Sequence, residues 1–229
     1  MKLLAIETAT EACSAALLVD GEIEQRYQVE PRRHSELLLP MMDGLLADAG
    51  LSLTALDALA FGRGPGSFTG VRIATGVVQG AAFAADLPVV AISTLAALAQ
   101  RCHREQGQAL LLPAYDARMG ELYWGCYRAG SDGLVEAVGD ELVVAPEELD
   151  PPDGEGWFGV GSGWTTYGDL LSERLAPRIL GFDAELLCSA RDVALLGAAG
   201  FAAGQAVPAE QALPVYLRDR VAKKPGGVW

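Results

Sequence analysis

The chain is short of positive charge, with 17 Lys plus Arg against 30 Asp plus Glu in 229 residues, a formal net charge of −13. That balance argues against nucleic-acid binding by this chain alone, because such binding uses cationic side chains to displace counterions from phosphates. Histidine is scarce: His34 and His103 are too far apart in sequence to form a local ligand pair, and neither HExxH nor HxxxH occurs. No histidine metal site is expected. Cys13, Cys102, Cys126 and Cys188 lie too far apart for a CxxC redox motif or a zinc knuckle and read as buried thiols. Long hydrophobic runs are also missing. The apolar start at residues 1–6 is ended by Glu7 and Glu11, short of the ~7 to 15 residues of a signal-peptide core. The most apolar long window, residues 71–92, carries Arg72, Gln79, Asp86 and Pro88, which are prohibitive together in a bilayer. These absences predict a cytoplasmic chain of a reducing compartment.

What is present is a folded-protein composition, 51% hydrophobic and 21% charged, with length for one large domain or two small ones. Glycine, at 27 residues, is well above the usual ~7% and predicts close backbone approaches. Strand-like runs at residues 2–7, 13–19 and 23–29, the last two joined by Asp20-Gly21, predict three antiparallel strands. Ser35 is the expected cap of a helix through about residue 49, with Leu38, Met41, Met42, Leu45 and Leu46 on its apolar side and Pro40 marking a kink or its true start. A strand at 56–61, a small-residue helix at 71–85, a strand at 88–92 and a helix from Ser93 or Thr94 to about 105 complete a βββαβαβα half.

The second half repeats this order less cleanly. Strands are predicted at 109–115, 121–128, 134–144, 157–160 and 178–182, a short helix at 146–149, and helices from Thr165 and over 190–205. Residues 3–7 then overlay 111–116, and Phe61-Gly62-Arg63-Gly64 overlays Val160-Gly161-Ser162-Gly163. The expectation is an α/β protein with a duplicated βββαβαβα, ribonuclease-H-like (actin, Hsp70 and sugar-kinase, or ASKHA) fold, with domains at 1–105 and 106–229. The tail Lys223-Lys224-Pro225-Gly226-Gly227 reads as mobile.

The glycine-rich stretch Gly62-Arg63-Gly64-Pro65-Gly66-Ser67-Phe68-Thr69-Gly70-Val71-Arg72 lies between a strand and a helix, where backbone N–H groups could cradle an anion. It fits neither a Walker loop, nor a dinucleotide fingerprint, nor a nucleophile elbow, so a structural turn is favoured over a phosphate site. Glu7 and Thr8, at the end of strand one, stand where nucleotide-using members of the architecture place an acid and a hydroxyl; the alternative is a capped strand end. Arg118 is close enough in sequence to neutralise Asp116. Gly76 and Gly80 share one helix face at a cost of about 1 kcal/mol each relative to alanine. Another helix packed on that bare stripe would offset it, by default from within the chain. No nucleophile and base are set up as a pair.

The glycine-rich segment, with Leu4-Ala5-Ile6-Glu7-Thr8-Ala9-Thr10-Glu11-Ala12-Cys13-Ser14, resembles the bacterial TsaB (YeaZ) family. Three further segments agree: Pro31-Arg32-Arg33-His34-Ser35 with Leu39-Pro40, Asp116-Ala117-Arg118-Met119-Gly120-Glu121-Leu122-Tyr123-Trp124, and Pro214-Val215-Tyr216-Leu217-Arg218. The resemblance implies a non-catalytic subunit of the machinery that adds threonylcarbamoyl to the adenosine beside the anticodon of tRNA. Its implied partners are the paralogous, metal-holding transferase TsaD, the small ATPase TsaE and, indirectly, the threonylcarbamoyl-adenylate synthase and tRNA. ATP or ADP and Mg²⁺ would be held mainly by those partners, with none required by this chain. The implied partner surface is made by the helices around residues 38–46 and 72–84, specifically Leu38, Met41, Met42, Leu45, Arg72, Thr75, Gly76, Gln79, Gly80 and Phe83. In isolation the same surface is expected to form a homodimer. The family usually carries aspartate where this chain has Glu7, which weighs against nucleotide binding. Competing readings are an ATP-dependent kinase of the same architecture, acting through Glu7 and Thr8, and a glycoprotease-like peptidase.

Overall fold

The computed structural model describes residues 1–150 and 152–218; the tail expected to be mobile, 223–227, lies outside them. Strands β1 (Lys2–Glu7) and β2 (Ala12–Val19) are apolar almost throughout because both sheet faces are covered where they lie. β3 (Glu22–Val29) is an edge and carries polar residues. The β2–β3 turn holds Asp20 and Gly21 at φ of 50° and 97°, the left-handed pair that a tight hairpin requires. β4 (Ala58–Gly62) and β5 (Val89–Ile92) add in parallel to give the order β3-β2-β1-β4-β5.

Helices α1 (His34–Asp48) and α2 (Phe68–Ala85) cover one face of this sheet. Two local expectations for α1 fail. Ser35 lies inside the helix, which starts after Arg33 without a side-chain cap, and Pro40 sits within the continuous helix instead of opening it. Helix α2 begins three residues earlier than its periodicity suggests, because the Ser67 hydroxyl takes the N–H of Gly70 and extends the first turn.

The second sheet repeats the first. β6 (Leu110–Arg118) and β7 (Glu121–Trp124) form its hairpin, β8 (Tyr127–Ala129) and β9 (Val135–Ala137) form a side ribbon, and β10 (Leu142–Val144) returns to the main sheet. With β11 (Trp157–Val160) and β12 (Ile179–Asp183) the order is β10-β7-β6-β11-β12, position for position that of the first sheet. The predicted strands at 121–128 and 134–144 are each broken in two, the second around Gly139 at φ 86°. The predicted helix at 146–149 is a 3-10 turn, and the helix expected from Thr165 begins at Ser162 as α4 (Ser162–Leu175). The duplicated βββαβαβα, ribonuclease-H-like fold is thus present, with the first helix of the second copy reduced to one turn.

The two halves exchange helices. α3 (Thr94–Gln106), capped by the Ser93 hydroxyl, belongs to the first half by sequence but packs on β6. α5 (Ala190–Ala202) ends the second half and packs across β1, β2 and β4. Gly197 lets α5 approach Ala60 so closely that a Cβ would sit 2.7 Å from that methyl. One hydrophobic core therefore joins Leu3, Ala60 and Val90 to Leu111, Val160 and Val193. The division at 105/106 separates the sheets but not two independent units, since α5 covers the first sheet.

Candidate functional site

The end of β1 is closed. Glu7 and Thr8 are fully buried. One oxygen of the Glu7 carboxyl accepts the Ala9 N–H at 2.6 Å, and the other, Oε2, is buried with no hydrogen-bond partner among the described residues. Burial pushes the Glu7 carboxyl up to about 7, against the opposing effect of the backbone N–H groups of Ala9 and Thr8. Thr8 donates its hydroxyl to the Gly70 carbonyl at 2.7 Å, so it is already engaged.

The glycine-rich segment supplies the lid. Ser67 N–H bonds the Ala9 carbonyl at 2.8 Å, and Gly62, Gly66 and Gly70 sit so close to Glu7, Ala9 and Thr8 that a Cβ at any of them would overlap those atoms. The glycines serve backbone-to-backbone contact, and the space their missing side chains leave is filled by the chain itself. A nucleotide phosphate with Mg²⁺ does not fit this arrangement: the carboxyl is enclosed, the hydroxyl donates inward, and no metal-holding group of three or more His, Cys, Asp or Glu occurs among the described residues. Glu7 and Thr8 together form a packed strand end with both side chains turned inward. Asp116, at the matching end of β6, accepts the Arg118 backbone N–H at 2.8 Å and its guanidinium at 3.2 Å, the neutralising pair expected.

The outer face of α2 is the opposite case. Gly76 and Gly80 are exposed, and a Cβ on either would meet no atom of the described residues within 4 Å. The default expectation that a helix of this chain fills the stripe is therefore overturned. Phe83, one turn further along, is 84% exposed, and Leu39 on neighbouring α1 is 51% exposed. At the start of α2, the Arg72 guanidinium lies 3.8 Å from the centre of the Phe68 ring and donates from Nε to the Tyr216 hydroxyl at 3.0 Å.

Tyr216 belongs to a strap that follows α5. It bridges Val207 to Val89 beside β5, accepts Gln79 Nε2 at the Ala212 carbonyl, and bonds the Arg63 carbonyl through Val215 N–H. It reaches the second half where Arg218 meets the Arg118 carbonyl at 3.2 Å.

A family model described as TsaD, tRNA N6-adenosine threonylcarbamoyltransferase, matches residues 28–225. The tRNA threonylcarbamoyladenosine biosynthesis protein TsaB of Escherichia coli is 44% identical over 228 residues, covering 98% of this chain and 97% of its own length. Its namesake in Haemophilus influenzae is 37% identical over 232 residues, covering 98% and 96%. The solved structure of YeaZ from Pseudomonas aeruginosa is 52% identical with a TM-score of 0.87, covering 94% of this chain and 99% of that one. The chain belongs to the TsaB (YeaZ) family.

In this TsaB-family chain the partner residues named from sequence divide by geometry. Arg72, Gly76, Gly80 and Phe83 face outward together. Leu38, Met41, Met42 and Leu45 do not: they are buried against the sheet and would reach a partner only if α1 left it. Thr75 also turns inward, donating to the Val71 carbonyl at 2.9 Å, and Gln79 is held by the strap. Helical periodicity finds the apolar side of α1 but not that this side is the core, and so gives no reason to choose the outward residue Leu39. Phe68 and Tyr216 were also missed as companions of Arg72. Both lie in segments that carry the resemblance, but contact between positions 72 and 216 has no local signal.

Proposed function

We propose that this chain is a non-catalytic subunit in tRNA threonylcarbamoyladenosine biosynthesis that docks the paralogous transferase TsaD through the outer face of α2 and the adjoining edge of α1. TsaE and the adenylate-forming synthase then act with the pair, and ATP, ADP and Mg²⁺ belong to those partners. The observation that carries the reading is the open glycine stripe at Gly76 and Gly80 flanked by exposed Phe83. Two glycines inside a helix are unfavourable in the free chain, and close approach of a second helix offsets that cost. A stable, specific interface would bury at least ~1,200 Å² in total. The same face supports a homodimer when the partner is missing.

The enclosed end of β1 favours this reading over a kinase, since Glu7 and Thr8 offer nothing toward solvent. A peptidase reading finds no activated nucleophile among the described residues. His34 Nε2 contacts the Thr10 carbonyl at 2.9 Å and His103 Nδ1 the Gln108 carbonyl at 2.8 Å, while burial pushes the Cys13 thiol up to about 11. The decisive experiment is reconstitution of tRNA threonylcarbamoylation from TsaD, TsaE and the synthase, with and without this chain, alongside size-exclusion of this chain with TsaD. Activity and a stable complex only in its presence are the expected result. Full activity without it would overturn the proposal.

A further inference from the structure

From the geometry around Arg72 we infer that the docking partner presents a carboxylate to this residue, so that one charge contact fixes how the partner helix sits on the glycine stripe; this rests on the docking reading above. Arg72 is the sole charged residue of α2. In this acidic chain the carboxylates of α1 are Glu36, Asp43 and Asp48, of which Glu36 is paired with Arg33 and Asp48 with Arg26, and none is ion-paired with Arg72 among the described residues. Arg72 has no ion pair among the described residues; a ring and a hydroxyl hold it instead. The Phe68 and Tyr216 rings are themselves in contact, with centroids 5.8 Å apart, so the guanidinium is fixed between two segments that meet only in the folded chain.

Two physical consequences follow. With Nε occupied by the Tyr216 hydroxyl, the terminal nitrogens remain as the donors, a planar fork that matches a carboxylate. An arginine already ordered also loses less side-chain freedom on binding than a free one. Arg72 lies four residues before Gly76 and eight before Gly80, so it heads the same stripe. A partner helix lying along Gly76 and Gly80 would bring one of its ends to Arg72, and a Glu or Asp there would set both register and direction. Tyr216 is a positioning residue in this arrangement, and Arg72 is the contact.

The test is the affinity of the full chain for TsaD, measured by calorimetry at low and high salt. Arg72→Glu should weaken binding by about tenfold or more, as loss of a close interfacial charge pair does. Arg72→Gln should weaken it less and should flatten the salt dependence. Tyr216→Phe, which keeps the ring and removes the hydroxyl, should cost a factor of about two to five. A charge-reversed TsaD variant carrying Lys in place of the facing acid should restore binding to Arg72→Glu. Unchanged affinity of Arg72→Glu, with wild type binding normally, would overturn this inference and leave the docking reading intact. Equal losses in Arg72→Glu and Arg72→Gln, with no change in salt dependence, would also overturn it, by making the contact one of packing. Failure of wild type itself to bind TsaD would remove the docking reading and this inference with it.

Discussion

Substituting Gly80 by leucine, alone or with Gly76→Leu, should move folding stability and partner binding in opposite directions. Neither glycine has a positive φ that would strain a side chain, and a Cβ at either position points into open space. Leucine therefore meets no clash and replaces the least favourable ordinary helix residue with a good one, a gain of about 0.7 to 1 kcal/mol per site. In a chain of this size that raises the thermal midpoint by roughly 2 to 4 °C per substitution. The same side chain stands where the partner helix must approach backbone to backbone. Association with TsaD should fall below detection by size-exclusion, and reconstituted tRNA modification should fall with it. Gly80→Ala tests the distance: it should give nearly the same stabilisation with a smaller loss of binding. A lower melting temperature in Gly80→Leu, measured on chain shown to be monomeric, would show that the stripe is not open in the free chain. A higher one with wild-type affinity would refute the docking surface itself.

Glu7 should make stability fall as pH rises. Its folded value of about 7 lies above the ordinary 4.5, so across that window the folded chain keeps a proton that the unfolded chain has released. The contribution present below pH 4.5 is lost progressively up to about pH 7 and amounts to about 3 kcal/mol. Urea denaturation at pH 5 and pH 8 should therefore show a clear decline in wild type and a flatter profile in Glu7→Gln; parallel profiles would count against the buried carboxyl. Asp192 is fully buried, accepts two bonds from Arg104 at 2.9 and 3.1 Å and one from the Ser189 hydroxyl at 2.7 Å, and so ties α5 to α3. Asp192→Ala should cost about 3 kcal/mol, the lower end of the range for a broken buried pair because Arg104 is partly exposed. An unchanged denaturation midpoint would show that the exchanged helices hold without it.

The opening hairpin was legible because the Asp20-Gly21 turn and the flanking apolar runs are local signals and agree with each other. The internal duplication was legible for a related reason: matching strand ends recur in the same order in both halves. Boundaries shifted where side-chain chemistry was decisive, as at Ser67, whose hydroxyl starts α2 three residues early, and at Ser35, which has no capping bond to make. The candidate surface was half legible. Four-residue spacing put Gly76 and Gly80 on one face, but the direction of that face depends on what the sheet covers, which no helical period contains.

By itself the sequence determined the α/β class, the repeat, the family and the lack of metal-ligand spacing, all properties of residue order within short windows. Only the tertiary structure decided that α5 crosses to the first sheet and that the glycine-rich loop is packed against Glu7 and Thr8. It also decided that Tyr216 reaches back to Arg72 and that Gly76 and Gly80 face outward. Each of these depends on contacts between residues far apart in the chain, where burial and close packing, and not local propensity, select the arrangement.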